Sequence, residues 1–433
     1  MNDKVFNIIR RFLLLCILWS IFPEAMAIAA YEIHPGITLS EEYTDNVFEN
    51  RNQKKSDYIT RVMPGIQLRY EAPIGTLDGE YRYDYRYYLR QSRKNDDTHF
   101  VNVNGHFALI DQFLFLDAAD NYQRVSLDVS RDVTQESLFI NQTDQNNLVV
   151  NPYFSFNLSP RTVARLGYRY TNIWYKRPDD LQRVALHEVD DISRREHTGL
   201  GEVAYEFGRN FKVSGGYSFT RTDRSSGSSN QQDTYLGLEK KYGPDDASVI
   251  LLKGGYTIIN YRQGKRYNAP FWVAELKHQM GNVVTTLNTR VYYGEDPLRA
   301  VTKETSYAAA VDLLLAKGLI GAMVSYSRFV DTELDRLITR RATAAVRGRY
   351  ELMNRLTADL TVEGSRYDNT SFLTGTDTVS SSDSDTKRLL VGPAVTYSFG
   401  EGMTFALLYR YVNYFSGFQG VVNRITLEFR KVF

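Results

Sequence analysis

Six histidines, His34, His99, His106, His187, His197 and His278, are the side chains of this sequence with the widest chemical repertoire, as metal ligands or as acid-base groups near neutral pH. They are scattered over separate segments with no ligand-like spacing. No HExxH, GxSxG or paired-cysteine motif accompanies them, so neither a zinc hydrolase nor a serine hydrolase is written here in recognisable form. The expectation is a protein that is not an enzyme and carries no catalytic residue, cofactor or metal, with each histidine a solvated loop or lumen side chain. One local group could hold a divalent cation: His187, Glu188, Asp190 and Asp191, just ahead of Arg194. A solvated acidic loop, meeting divalent ions only loosely, is the expected reading of that group. Residues 225–232 and 380–385 are poor in apolar side chains, lack an EF-hand pattern, and are expected to be flexible outer loops.

A second kind of chemistry is electrostatic and far more regular. In residues 77–90 one alternate set reads Leu77, Gly79, Tyr81, Tyr83, Tyr85, Tyr87, Leu89, and the other reads Asp78, Glu80, Arg82, Asp84, Arg86, Tyr88, Arg90. Alternate residues of a strand point to opposite faces, so this segment has an aromatic face and an ionic face; a helix would mix them. The pattern returns where Tyr58, Ile66, Leu68 and Tyr70 oppose Arg61, Arg69 and Glu71. It returns again where Leu166, Tyr168 and Trp174 oppose Arg165 and Arg169, and where Ile425, Leu427, Phe429 and Phe433 oppose Arg424, Glu428 and Arg430. Turning every polar face inward collects Arg61, Arg69, Arg82, Arg86, Arg165, Arg169, Arg290, Arg347, Arg349, Arg410, Arg424 and Arg430 in one lumen. Glu71, Asp78, Glu80, Asp84, Glu202, Glu206, Glu275, Glu351 and Glu428 join them. Much of this charge must pair across strands. Any surplus arginine would favour anionic solutes such as acidic polysaccharide, because rings of charge set pore selectivity.

About twenty such runs can be counted, each long enough for a tilted membrane strand. The expected fold is therefore all-β: a transmembrane antiparallel up-and-down β-barrel of about 20 strands, with 18 the alternative because the first run contains Pro35. A soluble β-sandwich also alternates, but it buries mainly aliphatic side chains, whereas 31 Tyr and 23 Phe suit the headgroup girdles of a barrel. The links alternate long and short: residues 44–56 then 72–75, 91–96 then 111–112, 127–142 then 158–161, 176–192 then 208–210, 224–232 then 242–246. That alternation predicts long loops outside, tight turns below, and both termini periplasmic.

The N-terminus reads as a secretory signal over residues 1–27, with Lys4, Arg10 and Arg11 ahead of an apolar run and Ala25-Met26-Ala27 as the cleavage site, Ala29 being a second choice. Cys16, the only cysteine, lies in that run without the small residue that precedes a lipidated cysteine. The mature chain, 31–433, is expected to be one barrel without disulfides and without a separate plug. Fifty-two basic against fifty-one acidic residues give a net charge of +1, which does not mark a nucleic-acid binder.

The terminal Phe433, with Phe429 and Leu427 at alternate positions before it, resembles the C-terminal signal read by the barrel assembly machinery; Lys431 departs from it. The opening, Ile37-Thr38-Leu39-Ser40-Glu41-Glu42-Tyr43-Thr44-Asp45-Asn46-Val47-Phe48 followed by Asp57-Tyr58-Ile59-Thr60-Arg61-Val62-Met63-Pro64-Gly65-Ile66, resembles that of the β-barrel porin family that includes the exosortase (PEP-CTERM) system-associated outer-membrane proteins. The resemblance implies an outer-membrane pore or export accessory linked to exopolysaccharide secretion, with a non-conducting docking barrel as the alternative. It implies no active site. The expected partners are outer-membrane lipid and lipopolysaccharide, the assembly machinery, polysaccharide and export components.

Overall fold

The computed structural model describes residues 30–126, 142–176, 193–224, 227–262, 264–296, 299–369, 384–415 and 420–433. The proposed signal segment, Cys16 and the group from His187 to Asp191 lie outside them. Twenty strands follow in order: β1 Ala30–Thr44, β2 Asp57–Ala72, β3 Gly75–Tyr88, β4 Asp96–Ile110, β5 Leu114–Ser126, β6 Gln142–Ser159 and β7 Thr162–Tyr175. Then come β8 Arg194–Glu206, β9 Phe211–Arg224, β10 Gly227–Tyr242, β11 Ser248–Tyr261, β12 Arg266–Met280, β13 Val283–Asp296, β14 Arg299–Leu315 and β15 Gly318–Asp331. The last five are β16 Arg336–Met353, β17 Leu356–Asn369, β18 Ser384–Gly400, β19 Met403–Tyr414 and β20 Val421–Val432.

Each strand pairs antiparallel with its neighbours in sequence, and β1 pairs with β20, so the sheet closes on itself. Closure satisfies both edges of every strand, the condition for crossing lipid with β-structure. The strand count is twenty, not eighteen. Pro35 does not demote β1: Gly36 is its first residue in register with β20, and the Pro35 carbonyl accepts from the N–H of Phe433, the final residue. The N–H that proline lacks thus falls where β20 has run out of partners.

The two faces separate as period two requires. Tyr81, Tyr85, Tyr87, Leu166, Tyr168, Trp174 and Leu236 stand exposed on one face, while Asp84, Arg86 and Tyr88 are buried on the other. The ionic face points inward: the Tyr292 phenol on β13 lies within electrostatic reach of Arg194 and Glu196 on β8, which only the inside of a cylinder permits. At the short-link rim, turns such as 400–402 put Gly400, Glu401 and Gly402 at positive φ, and a Cβ on Gly402 would lie 2.4 Å from the Val432 carbonyl oxygen. One expected loop is not a loop. Residues 227–232 belong to β10, paired with β9 from Gly227–Arg224 onward, because ladder bonds to both neighbours hold a Ser- and Gln-rich segment whose own β-propensity is low. Likewise Ser384 and Asp385 already belong to β18; residues 380–383 are outside the described set.

At the long-link rim the cylinder departs from a simple wall. The register between β4 and β5 stops at Val101–Tyr122, and that between β12 and β13 at Trp272–Val291. Above the first break, Thr98, on the lumen face of β4, donates to Asp144, on the outer face of β6, at 3.1 Å. Arg124, on the outer face of β5, bridges Asp144 and Asp96, at 2.9 Å and 2.6 Å. Inner side chains of one hairpin can meet outer side chains of the next only if the second lies on the lumen side of the first. Above the second break the same inversion is apolar: Ile259, Tyr261 and Ala269 of the lumen face pack against Val291, Tyr293 and Val301 of the outer face. The upper parts of β5–β6 and β13–β14 therefore lean into the lumen.

Candidate functional site: the arginine-lined mouth

The same register that separates the faces assigns all twelve arginines singled out from the sequence to the lumen side of their strands. What distinguishes them is pairing. Arg61 and Arg86 grip Asp84 from two strands, with Nη2 of each 2.7 Å from the carboxylate. Arg82 pairs with Glu80 at 3.0 Å and lies over the Phe100 ring at 4.5 Å. Arg69 pairs with Glu71, Arg290 with Glu304 at 2.9 Å, Arg347 with Asp312 at 2.9 Å, and Arg349 with Asp359 at 3.6 Å. Most of the lumen charge is thus internally neutralised, as a wet interior with alternating signs allows.

The exceptions matter for function. Among the described residues Arg169, Arg410 and Arg430 have no ion-pair partner, and Arg165 has only the Tyr153 ring at 5.8 Å. Arg430 lines a polar cleft of about 420 Å³ with Arg61, Gln67, Glu80, Arg82 and Glu428 on the lumen wall where β1, β2, β3 and β20 meet. Arg410 sits at the mouth, directly across the ladder from Arg424. Arg424 pairs with Glu49 at 3.0 Å and with Glu42 at 3.9 Å, and the neighbouring Arg388 pairs with Glu363 at 2.6 Å. Three guanidiniums on β18, β19 and β20 therefore face one another, and the middle one makes no ion pair of its own, with Glu42 and Glu49 only within electrostatic reach.

Glu49 comes from the link between β1 and β2, which folds inward instead of projecting. Val47 is fully buried against Ile59 and Tyr88, Asn46 caps the Val421 and Asn50 carbonyls, and the Tyr414 hydroxyl donates to Glu49 at 3.0 Å. Asp45 accepts from the backbone N–H and side chain of Asn423, at 2.8 Å and 2.7 Å, tying that link to β20 across the closing seam. The Tyr43-Thr44-Asp45-Asn46 motif is a structural clasp.

Sequence reasoning missed Glu49, Glu363, Arg388, Arg124 and Asp144. Arg388 shares its face with Thr386 and Leu390, so no clean alternation marks it. Glu49 lies in a link, where no period applies. The histidines correct the expectation in another way. His99, His197 and His278 are on the outer face, not in loops or the lumen, and their Nδ1 atoms meet the hydroxyls of Tyr81 at 3.0 Å, Tyr168 at 2.6 Å and Tyr242 at 3.3 Å. A tyrosine partner satisfies the imidazole within the aromatic layer, where its flat body is compatible with an interface. Among the described residues no three His, Cys, Asp or Glu side chains converge as metal ligands.

Leu427, Phe429 and Phe433 share the outer face of β20 and its end, with Phe433 exposed. Lys431 is on that face too, and its ammonium reaches back to the Glu401 carbonyl at 2.6 Å, which removes the charge from lipid to the turn rim.

No protein-family model and no curated protein matches this chain. Among solved structures it is similar to a mutant of the ferric enterobactin receptor PfeA from Pseudomonas aeruginosa, at 9% identity with a TM-score of 0.50, over 93% of this chain and 80% of that one. It is also similar to OccAB4 of Acinetobacter baumannii, at 10% identity and a TM-score of 0.41, over 93% and 98% of the two chains. A third is OmpT, an outer membrane protein of Vibrio cholerae, at 12% identity and a TM-score of 0.37, over 94% and 98%. The shared feature is the fold: a closed antiparallel cylinder with an apolar outer face, which is the architecture of the cell outer membrane.

Proposed function

We propose that this barrel is a polar passage across the outer membrane whose mouth favours anionic solutes. The observation that carries the reading is Arg410: a lumen guanidinium without an ion-pair partner among the described residues, set between the paired Arg388 and Arg424. A guanidinium that makes no ion pair of its own, in a narrowed, partly desolvated mouth, attracts anions more strongly than the same charge in open water. Barrels of sixteen to eighteen strands already hold an aqueous channel, and twenty strands make a wider one. The long links face outward and both termini lie on the periplasmic side, by the rule that relates link length to membrane side. The resemblance of residues 37–66 to the exosortase-associated porins makes an acidic exopolysaccharide, or a component of its secretion, the natural anion. No catalytic step is assigned to the chain.

The inward fold of residues 45–50 and the two leaning hairpins favour a second reading, a closed barrel that docks export components. Single-channel recording of the purified barrel in planar bilayers separates the two. Discrete conductance steps support the passage; a barrel that inserts, retains heat-modifiable mobility on gels and passes no current overturns it in favour of docking. Loss of polymer secretion on deletion of the gene supports the exopolysaccharide link, and normal secretion removes it.

A further inference from the structure

The lipid-facing side of the barrel carries charge that no barrel needs for folding. On the outer face near the long-link rim, five consecutive strands each present one cation: Lys303 on β14, Arg328 on β15, Arg340 on β16, Arg366 on β17 and Lys387 on β18. Arg328 lies directly across the ladder from Arg340, and Arg366 directly across from Lys387. Like charges at directly opposed positions are destabilising, and they are more so at a membrane boundary than in water. Among the described residues of these five strands, two carboxylates share the face, Asp368 and Asp385. Arg340 reaches Asp368 at 3.8 Å, and Arg366 and Lys387 share Asp385 at 3.0 Å and 3.9 Å. Lys303 and Arg328 have no ion-pair partner among the described residues, and Asp335 of the β15–β16 link lies only within electrostatic reach of Lys303, so the five cations outnumber the carboxylates near them.

Below the β14–β15 end of this belt lies a groove that extends across β11 to β15. Leu252, Leu276, Leu287, Ala309, Val324 and Tyr326 line an apolar depression of about 580 Å³ on the same outer face. Ala309 leaves the floor low between Leu287 and Val324, its partners in the ladder. Tyr326 belongs to the groove wall and is two residues from Arg328 on the same face of β15, so groove and belt are continuous.

We infer that this face is a binding site for a phosphorylated glycolipid of the outer leaflet, with an acyl chain along the groove and phosphate groups on the belt. Charge complementarity selects this occupant. A plain zwitterionic lipid would leave the opposed cations uncompensated, and a second copy of the chain would bring the same belt against itself. Guanidinium pairs hold phosphate oxygens in bidentate fashion, and basic clusters beside apolar surface are the usual form of anionic lipid recognition. The inference rests on the long-link rim facing the outer leaflet.

The test uses the full barrel refolded in detergent, with purified lipopolysaccharide as probe, the same lipopolysaccharide stripped of phosphate, and Arg328→Glu/Arg366→Glu as variant. Heat-modifiable mobility verifies that the variant is folded; should it not be, the milder Arg328→Gln takes its place. Native mass spectrometry should show lipopolysaccharide retained by the wild-type barrel, and at least a tenfold weaker affinity for both the variant and the phosphate-free probe. Equal retention in all three overturns the proposal. So does a shift of oligomeric state in the variant without loss of lipid, which assigns the face to a second copy. The variant's single-channel conductance should remain unchanged, since its substitutions face lipid, so a missing pore and a missing glycolipid site give different results. Lys54→Cys labelled by an impermeant maleimide on intact cells places the long-link rim outside; an unlabelled cysteine in a folded barrel overturns that orientation and the glycolipid site together.

Discussion

The Arg424 guanidinium and the Glu49 carboxylate meet at 3.0 Å although 375 positions separate them in sequence. Glu49 sits on a folded link at positive φ, and Arg424 lies on β20 across from Thr44 of β1, so this single pair joins the mouth to the seam. Its side chains are nearly inaccessible, at 2% and 8% exposure, which makes a lone guanidinium costly there.

Glu49→Gln should destabilise the barrel by about 3 kcal/mol, the scale for removing one partner of a buried pair. It should also leave Arg424 and Arg410 with Glu42 as the remaining nearby carboxylate, 3.9 Å from Arg424, and shift the reversal potential further toward the anion value. Thermal unfolding followed by gel mobility, with bilayer recordings, checks both. An unchanged melting temperature would show that the link does not hold the seam.

Tyr83→Arg should impair membrane assembly far more than Arg82→Ala. Tyr83 faces out with Tyr81 and Tyr85, and a lipid-facing arginine costs about 2 to 4 kcal/mol near the midplane. Arg82 lies in the lumen over Phe100, so its loss removes one wet ion pair and one ring contact. The assembled fraction in outer-membrane preparations reads the difference; equal fractions would overturn the assignment of faces.

Asp144→Ala should free the leaning β5–β6 hairpin. Asp144 receives Arg124 and Thr98, and its removal leaves Arg124 tied to Asp96 alone. Single-channel records should then show larger or noisier current than wild type. Identical current would mean that this hairpin does not narrow the mouth.

The wall of this barrel was legible in the sequence because period two is a local property. Tyr81, Arg82 and Tyr83 announce their faces to anyone who reads three residues, and the alternation of long and short links counts the hairpins. Residues 227–232 were misread because their polar composition resembles a loop, whereas the ladder to β9 and β11 decides their state. The lean of Asp144 and Val291 into the lumen was invisible for a different reason: alternation gives the side of a strand, not how far the strand stands from the axis. Glu49 and its partner could not be joined by any local pattern. The outer positions of His99, His197 and His278 depended on tyrosines one strand away, a cross-strand relation that register alone supplies.

The reversal potential of the purified barrel in a salt gradient, recorded for wild type and Arg410→Ala, tests the proposed passage most directly. The account predicts anion preference in wild type and a clear reduction in the variant. Cation preference, or a potential indifferent to Arg410, would contradict it.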